Sequence, residues 1–593
     1  MSRQFLLGNE AIALGAYHAG IAVAAAYPGT PSTEILDHLA RFKDIYTEWS
    51  TNEQVAMEVA TGASYAGVRA LASMKHVGLN VASDAFMAAA ITGVKGGLVV
   101  ISADDPGIHS SQNEQDNRHY AELAKVPLLE PSDSQEAYDL MFEAFVISER
   151  FDTPVLLRST TRISHSRTVV ETKDRIDFSK GASFSYDAEK YIMLPSLARG
   201  RRPLVEERVK NLAEYAEGFS FNRIEKGNPD LGIITGGIAY QYAREVFPDA
   251  SFLKLGMSYP LPRKLIGDFA SSVERLLVIE ELDPFLENQI KAMGIEVSGK
   301  KYFPIIGELN TNAVKEGAVK AGLKVKQETI KIKSADKLLK RPPLLCAGCP
   351  HSGFFFTLST LANRSNLPGK TKKEPKLVIT GDIGCYTLAA YPPLSAMDTC
   401  GCMGSSIGQA IGMEKSGITE QIVAVIGDST FIHAGITGLI DAVYNRSKIT
   451  VVILDNQTTA MTGHQGHPGT GISAGGQQLT RVEIESLARG AGVQDIKTVD
   501  AFDLKSIRKA FKESLDSRSL SVIVIRGDCP TLVKEHGQPL SIDQELCDDC
   551  GLCLLIGCPA IQKKGGNITI ESTICIGSGC SLCKQLCPRK AIK

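Results

Sequence analysis

Gln421-Ile422-Val423-Ala424-Val425-Ile426-Gly427-Asp428-Ser429 is an apolar run that closes on a glycine and a carboxylate. Past Asp428 a second run, Ile449-Thr450-Val451-Val452-Ile453-Leu454, closes on Asp455-Asn456-Gln457-Thr458. Short runs that are apolar on both faces and rich in β-branched residues predict strands of a parallel sheet covered by helices on both sides. Sheets of this kind gather ligands beyond the carboxyl ends of their strands. Asp428, the Asn456 side chain and the Thr458 carbonyl fall there, and they are the oxygen donors that a hard Mg²⁺ ion shares with a phosphate group. A strand-ending turn explains a lone Gly-Asp equally well, so the neighbourhood has to decide. Gly381-Asp382-Ile383-Gly384-Cys385 and Cys400-Gly401-Cys402-Met403-Gly404-Ser405 are Gly-rich loops feeding helices, which offer backbone N–H groups to phosphate.

The same rhythm extends over most of the chain. Ile21–Tyr27, Val68–Met74, Gly97–Ser102 and Pro154–Arg158 predict buried strands near the N-terminus. Leu231–Thr235, Phe252–Leu255 and Leu276–Glu280 predict a second, smaller α/β unit, and Lys376–Thr380 and Leu520–Ile525 join the two runs above. With 593 residues and about 150 per domain, the chain is modular. The expected division is 1–180, a connecting segment 181–229, 230–300, a linker 301–341 that ends in Arg-Pro-Pro, 342–540 and 541–593.

Composition excludes several classes. Sixty-four basic residues against 66 acidic ones leave no electrostatic case for nucleic acid or an anionic membrane as partner. Every long apolar stretch is broken before the roughly 20 residues of a membrane span, and Met-Ser-Arg-Gln-Phe does not begin a signal peptide. A cytoplasmic location is expected, where clustered cysteines hold metal more often than disulfides.

Of the 14 cysteines, none precedes Cys346 and eight lie in the last 47 residues. Those eight form Cys547-x2-Cys550-x2-Cys553-x4-Cys558-Pro559 and Cys575-x4-Cys580-x2-Cys583-x3-Cys587-Pro588. Zinc knuckles come as C-x2-C pairs, often with histidine. Here triplets are followed by Cys-Pro and the tail has no histidine. The tail resembles a bacterial two-cluster ferredoxin, with one extra residue before Cys558 and two extra between Cys575 and Cys580. In that arrangement the fourth ligand crosses to the other cluster, which pairs Cys547, Cys550, Cys553 with Cys587 and Cys575, Cys580, Cys583 with Cys558, one [4Fe-4S] each.

The Gly-Asp-Ser…Asn spacing resembles the diphosphate motif of thiamine diphosphate (ThDP) enzymes, with Ser429 in place of a glycine. Together with the Gly-rich loops it resembles the diphosphate domain of the 2-oxoacid:ferredoxin oxidoreductases. Asn52-Glu53-Gln54-Val55-Ala56-Met57-Glu58 resembles that family's pyrimidine-domain helix, so Glu53 inherits the carboxylate that activates the aminopyrimidine. Glu58 sits roughly 140° further round the helix. Otherwise Glu53 is a charge that favours a helix start. Tyr27-Pro28-Gly29-Thr30-Pro31-Ser32 resembles the family's Tyr-Pro-x-Thr-Pro-Ser turn, which places Thr30 near the reacting 2-oxo acid, with Ser32 positioned to cap the next helix. Lys75 and His76 stand where relatives carry Thr-Ser-Gly and are candidate substrate-facing groups. Cys346-Ala347-Gly348-Cys349-Pro350-His351 resembles the opening of the family's proximal-cluster domain, which with Cys385 and Cys529 makes a third [4Fe-4S] ligand set; buried packing cysteines are the alternative.

What the resemblance implies is an α/β protein of several doubly wound parallel-sheet domains: pyrimidine-binding, transketolase-C-like and diphosphate-binding, followed by a ferredoxin-like domain. Gly401, Cys402, Met403, Gly404, Gly427, Asp428, Ser429, Asn456, Thr458, Asp382 and Cys385 would line the cofactor, and Asp428, Asn456 and Thr458 would hold Mg²⁺. This order in one polypeptide is most similar to the α subunits of the indolepyruvate branch. The implied reaction converts an aryl 2-oxo acid (indolepyruvate, phenylpyruvate or hydroxyphenylpyruvate) and coenzyme A to aryl-acetyl-CoA and CO2, with electrons to ferredoxin. A smaller β subunit and a homodimeric core, α2β2, are expected. A different 2-oxo acid specificity keeps the same machinery. A non-oxidative ThDP decarboxylase would leave the tail without a role, and a pure electron-transfer subunit would not need Glu53, Asp428 and Asn456.

Overall fold

The computed structural model describes residues 2–176, 181–325, 343–362, 377–533 and 536–593. The chain forms two compact units, Met1–Ile332 and Lys333–Lys593.

The first unit is built on a seven-stranded sheet. From edge to edge it runs Met257–Tyr259, Leu128–Leu129, Val155–Thr160, Leu98–Asp104, Ala70–Lys75, Val23–Ala26 and Tyr46–Trp49. All neighbours are parallel except the Met257–Tyr259 edge. The central strands Ala70–Lys75, Leu98–Asp104 and Val155–Thr160 are buried at every position, as solid apolar runs require. Helices start where a side chain accepts an otherwise orphaned N–H: Asn52 from Val55, and Asp133 from Glu136.

A second sheet in this unit orders Leu276–Ile279, Asn228–Gly236, Ala250–Leu255 and Arg223–Glu225, with only the last pair antiparallel. A buried ionic network joins it to the first: Arg118 holds Asp116 at 2.5 Å and Glu280 at 2.7 Å, while Arg158 holds Asp104 and Glu130, each at 2.6 Å.

Two stretches differ from their expected irregularity. Within 181–229 lies the helix Pro195–Ala216. Its charge hides a buried stripe, Arg201, Val205, Arg208, Leu212 and Ala216, in which both arginines reach Asp152. In 301–341 the helix Thr311–Lys320, capped by Asn310, packs Val314 and Ala318 into the second sheet's core. The rest of that expected linker, from 326 on, lies outside the described residues.

The second unit carries a six-stranded, all-parallel sheet in the order Thr399–Cys400, Leu377–Gly381, Gln421–Gly427, Thr450–Asp455, Ser521–Arg526 and Asp495–Asp500. The cysteine-rich tail adds a small antiparallel ribbon, Ile561–Lys564 with Asn567–Ile570.

Candidate cofactor and cluster sites

In the second unit, Asp382, Asp428 and Asn456 follow the carboxyl ends of three adjacent strands. Register pairs Gly427 with Leu454, which brings the turns after those two strands side by side. Asp428 is buried. Its Oδ1 accepts from the Ser429 N–H at 2.7 Å and its Oδ2 from the Gln457 N–H at 2.9 Å. His467 Nε2 lies 3.3 Å from Oδ2, close enough to pair but off the line of a hydrogen bond. Burial pushes the Asp428 carboxyl up, but the facing His467 ring and these donors outweigh it, so the group titrates below its ordinary range. Its neighbour Asp455 is pushed the other way by burial and by the Asp428 charge, although Arg526 bonds it at 2.7 Å.

Among the described residues Thr458 Oγ1 is buried without a partner and the Asn456 Oδ1 accepts from the Thr458 N–H at 3.3 Å alone. An unsatisfied buried hydroxyl and a weakly bonded amide oxygen beside an ionised carboxylate leave lone pairs that a divalent cation with a diphosphate would take up, so the donor set fits Mg²⁺. Ser429 Oγ accepts from Thr459 at 3.1 Å. Asp382 is placed differently. Its carboxylate is fully buried and takes hydrogen bonds from the Tyr386 hydroxyl, the Gly404 N–H (3.1 Å) and the Ser406 hydroxyl (2.9 Å). It braces the Gly401–Gly404 loop from behind, and burial holds its pKa up at about 6 against those bonds. Cys402 is exposed in that loop.

None of the fourteen cysteines is paired in a disulfide. Cys346, Cys349, Cys385 and Cys529 lie within electrostatic reach of one another. Burial and then the neighbouring sulfurs push the Cys385 thiol up to about 11, and Cys349 higher still. Asp428 also acts on Cys385, and the Cys529 N–H donates to the Asn456 carbonyl at 3.2 Å, so this set borders the diphosphate motif. In the tail, Cys553 feels Cys550, Cys547 and Cys587, whereas Cys580 feels Cys558 and Cys575. Cys558, Cys575, Cys580 and Cys583 line one apolar pocket with Ala347, Gly348 and Ile576. Backbone N–H groups point at the sulfurs: Gly577 at Cys575 (3.4 Å) and Ala591 at Cys587 (3.2 Å). Converging thiols with amide donors and apolar walls fit iron–sulfur clusters.

In the first unit, Lys75 closes one strand and Thr30, Glu53 and His76 follow the carboxyl ends of that strand and its parallel neighbours. Glu53 opens the helix Glu53–Tyr65 and is buried, whereas Glu58 is exposed and bonds Gln54. Ser32 does not cap its helix. Its hydroxyl donates to the Gly29 carbonyl at 2.8 Å, while Thr33 Oγ1 accepts from the Gly29 N–H, and the turn closes on itself. Asn9 braces it through the Pro31 carbonyl at 2.6 Å. His76 is fully buried, with Nε2 3.0 Å from Asn113 Oδ1.

Sequence reasoning missed His467, Tyr386, Asp455 and the loop that follows Asp104. The run His464-Gln465-Gly466-His467-Pro468, rich in glycine and histidine just past Asn456, was the available signal for His467; Asp455 and Tyr386 adjoin Asn456 and Cys385 in sequence, and the loop after Asp104 is joined to its site by folding.

Residues 14–222 match the family model described as pyruvate flavodoxin/ferredoxin oxidoreductase, thiamine diP-bdg, and residues 382–525 match thiamine pyrophosphate enzyme, C-terminal TPP binding domain. The chain is 42% identical to indolepyruvate oxidoreductase subunit IorA of Methanothermobacter marburgensis, over 100% of this chain and 97% of that one. It is 41% identical to the same-named subunit of Archaeoglobus fulgidus, over 99% and 97%. A solved 2-oxoglutarate:ferredoxin oxidoreductase from Magnetococcus marinus overlaps 53% of this chain and 65% of its own, at 17% identity and a TM-score of 0.45. Fold, family models and relatives together define a thiamine diphosphate-dependent 2-oxoacid oxidoreductase. The chain belongs to the family of indolepyruvate oxidoreductase subunits IorA.

Proposed function

We propose that this subunit carries out the oxidative decarboxylation of aryl 2-oxo acids, indolepyruvate first, with phenylpyruvate and hydroxyphenylpyruvate as further substrates. One 2-oxo acid, one coenzyme A and two oxidised ferredoxins give aryl-acetyl-CoA, CO2, a proton and two reduced ferredoxins. The observation that carries the reading is the thiol set Cys346, Cys349, Cys385 and Cys529 beside Asp428, four converging sulfurs that would hold an electron-accepting cluster next to the diphosphate motif. A non-oxidative decarboxylase has no use for it.

Bound ThDP supplies a nucleophilic carbon and an electron sink for loss of CO2. Residues 1–180 would bind the pyrimidine half, where the Glu53 carboxylate would hold or give up the proton that activates the aminopyrimidine. Thr30 contacts the 2-oxo acid. Residues 342–540 bind the diphosphate, with Asp428, Asn456 and the Thr458 carbonyl on Mg²⁺. The Gly401–Gly404 loop, braced by Asp382, presents N–H groups to phosphate. Residues 541–593 would hold two clusters in the crossed pairing, which with the Cys346, Cys349, Cys385 and Cys529 set would supply a one-electron path to ferredoxin. Residues 230–300 are the transketolase-C-like part. A smaller β subunit completes an α2β2 enzyme in the cytoplasm.

Anaerobic dye reduction by the purified complex, with indolepyruvate, phenylpyruvate, pyruvate and 2-oxoglutarate, each with and without coenzyme A, tests this. Aryl substrates are expected to lead and to require coenzyme A. Faster turnover of pyruvate or 2-oxoglutarate would overturn the aryl assignment.

A further inference from the structure

Lys75 closes the central strand Ala70–Lys75 and is buried, yet among the described residues its ammonium makes no ion pair. Its Nζ donates to the Ser110 carbonyl at 2.7 Å and lies 3.4 Å from the Ser110 hydroxyl. The carboxylate that acts on it, Asp105, is bonded elsewhere: Oδ2 accepts from the Ser110 N–H (2.8 Å) and the Ser111 hydroxyl (2.5 Å), and Oδ1 from Thr161 (2.7 Å). A buried ammonium held by a neutral carbonyl and a neutral hydroxyl of one residue is costly and short of an anion. The site for that anion is at the proposed substrate turn. Gly29 packs against the Lys75 stem, and the Ser110 hydroxyl donates to the Thr30 carbonyl at 3.3 Å.

We infer that Lys75 is the residue that anchors the carboxylate of the 2-oxo acid, and that the Ser110 carbonyl holds the carboxylate's place until substrate arrives. The inference rests on the function proposed above and names the group that recognises its substrate. One ammonium beside a hydroxyl-bearing turn suits a singly charged carboxylate. A diphosphate would call for several donors. Asp105 keeps its bonds to Ser110 and Ser111 and so sets how far the Ser110 carbonyl must withdraw.

The test uses the whole complex with Lys75→Met, Lys75→Gln and Lys75→Arg. Steady-state dye reduction gives KM separately for indolepyruvate and coenzyme A, and calorimetry with indolelactate, an unreactive 2-hydroxy acid, gives binding without turnover. Lys75→Met and Lys75→Gln are expected to raise KM for indolepyruvate and weaken indolelactate at least about tenfold, with Lys75→Arg recovering most of the loss. KM for coenzyme A stays unchanged. An unchanged indolepyruvate KM and indolelactate affinity in Lys75→Gln, or a shift in coenzyme A alone, would overturn the inference. A wild-type complex that oxidises no 2-oxo acid would instead sink the functional reading beneath it.

Discussion

The carboxylate of Glu53 occupies the space in front of Gly78: a Cβ at position 78 would lie 2.7 Å from Glu53 Oε1 and 2.8 Å from its Cγ. Two segments 25 residues apart in sequence are thus fitted to each other, and the absence of a side chain at 78 is a condition for Glu53 to stand where it does. Gly78→Ala should push Glu53 aside and lower kcat about tenfold, while Glu53→Gln, which removes the proton exchange itself, should cost on the order of 10² to 10⁴. Both should leave the thermal unfolding midpoint close to wild type. Equal and small losses in the two variants would mean that Glu53 only favours its helix start.

Asp428 is the one carboxylate of the diphosphate motif held below its ordinary range, so it is ionised at neutral pH and ready to meet a cation. Asp428→Asn keeps the shape and removes the charge. ThDP affinity, titrated calorimetrically in the presence of Mg²⁺, should weaken by about 10- to 100-fold. Chelation with EDTA should weaken wild type and leave the variant nearly unmoved.

The Lys75 anchor has a pH signature. Burial lowers its pKa to about 8, with Asp105 the charged group that counteracts. The ammonium is therefore fully present well below pH 8 and is lost as pH rises through it. The ratio kcat/KM for the 2-oxo acid should fall above about pH 8, approaching tenfold per unit. In Lys75→Arg, whose guanidinium stays charged, that limb should disappear. A profile identical in both would assign the titration to another group.

Much of this architecture was legible because central strands leave solid apolar runs: Gln421–Gly427 and Thr450–Asp455 were found to within a residue or two. The two-residue strand Leu128–Leu129 and the three-residue Met257–Tyr259 are too short to leave a pattern, and Asp495–Asp500 is mostly polar because it lies on an edge. Residues that follow strand ends could be named from their motifs, as with Asp428 and Glu53. Ser110 and Asn113 could not, because what makes them part of a site is a loop folding back on Lys75 and His76. The helix Pro195–Ala216 escaped because its buried stripe is carried partly by arginines, whose charge reads as solvent until Asp152 is seen beneath them.

Iron content separates packing cysteines from ligands. Three four-iron clusters give about twelve Fe per chain, and the tail alone gives about eight. Wild type is expected near the higher figure. Cys349→Ala, which removes one of the two buried members of the Cys346, Cys349, Cys385, Cys529 set, should drop to the lower one with the tail's spectrum intact. About eight Fe in both would leave those four thiols a packing role.

Gly348 ties the loop between Cys346 and Cys349 to the tail. Its N–H is directed at the Cys558 sulfur, and the pocket beside it is lined by both Cys349 and Cys558. It adopts φ +72°, and a Cβ there would lie 2.0 Å from Ile576 Cδ1. Ile576 can move, since the clash involves the end of a flexible side chain, but the left-handed backbone of Gly348 cannot be relieved that way. Gly348→Ala should therefore displace the loop and lengthen its N–H···S contact, with or without Ile576→Ala. Hydrogen bonds to cluster sulfurs favour the reduced, more negative state. In an EPR-monitored redox titration, the cluster held by Cys558, Cys575, Cys580 and Cys583 should become harder to reduce. The one held by Cys547, Cys550, Cys553 and Cys587 should not move. Equal shifts in both would mean that Gly348 acts on the stability of the tail as a whole and not on the Cys558 sulfur.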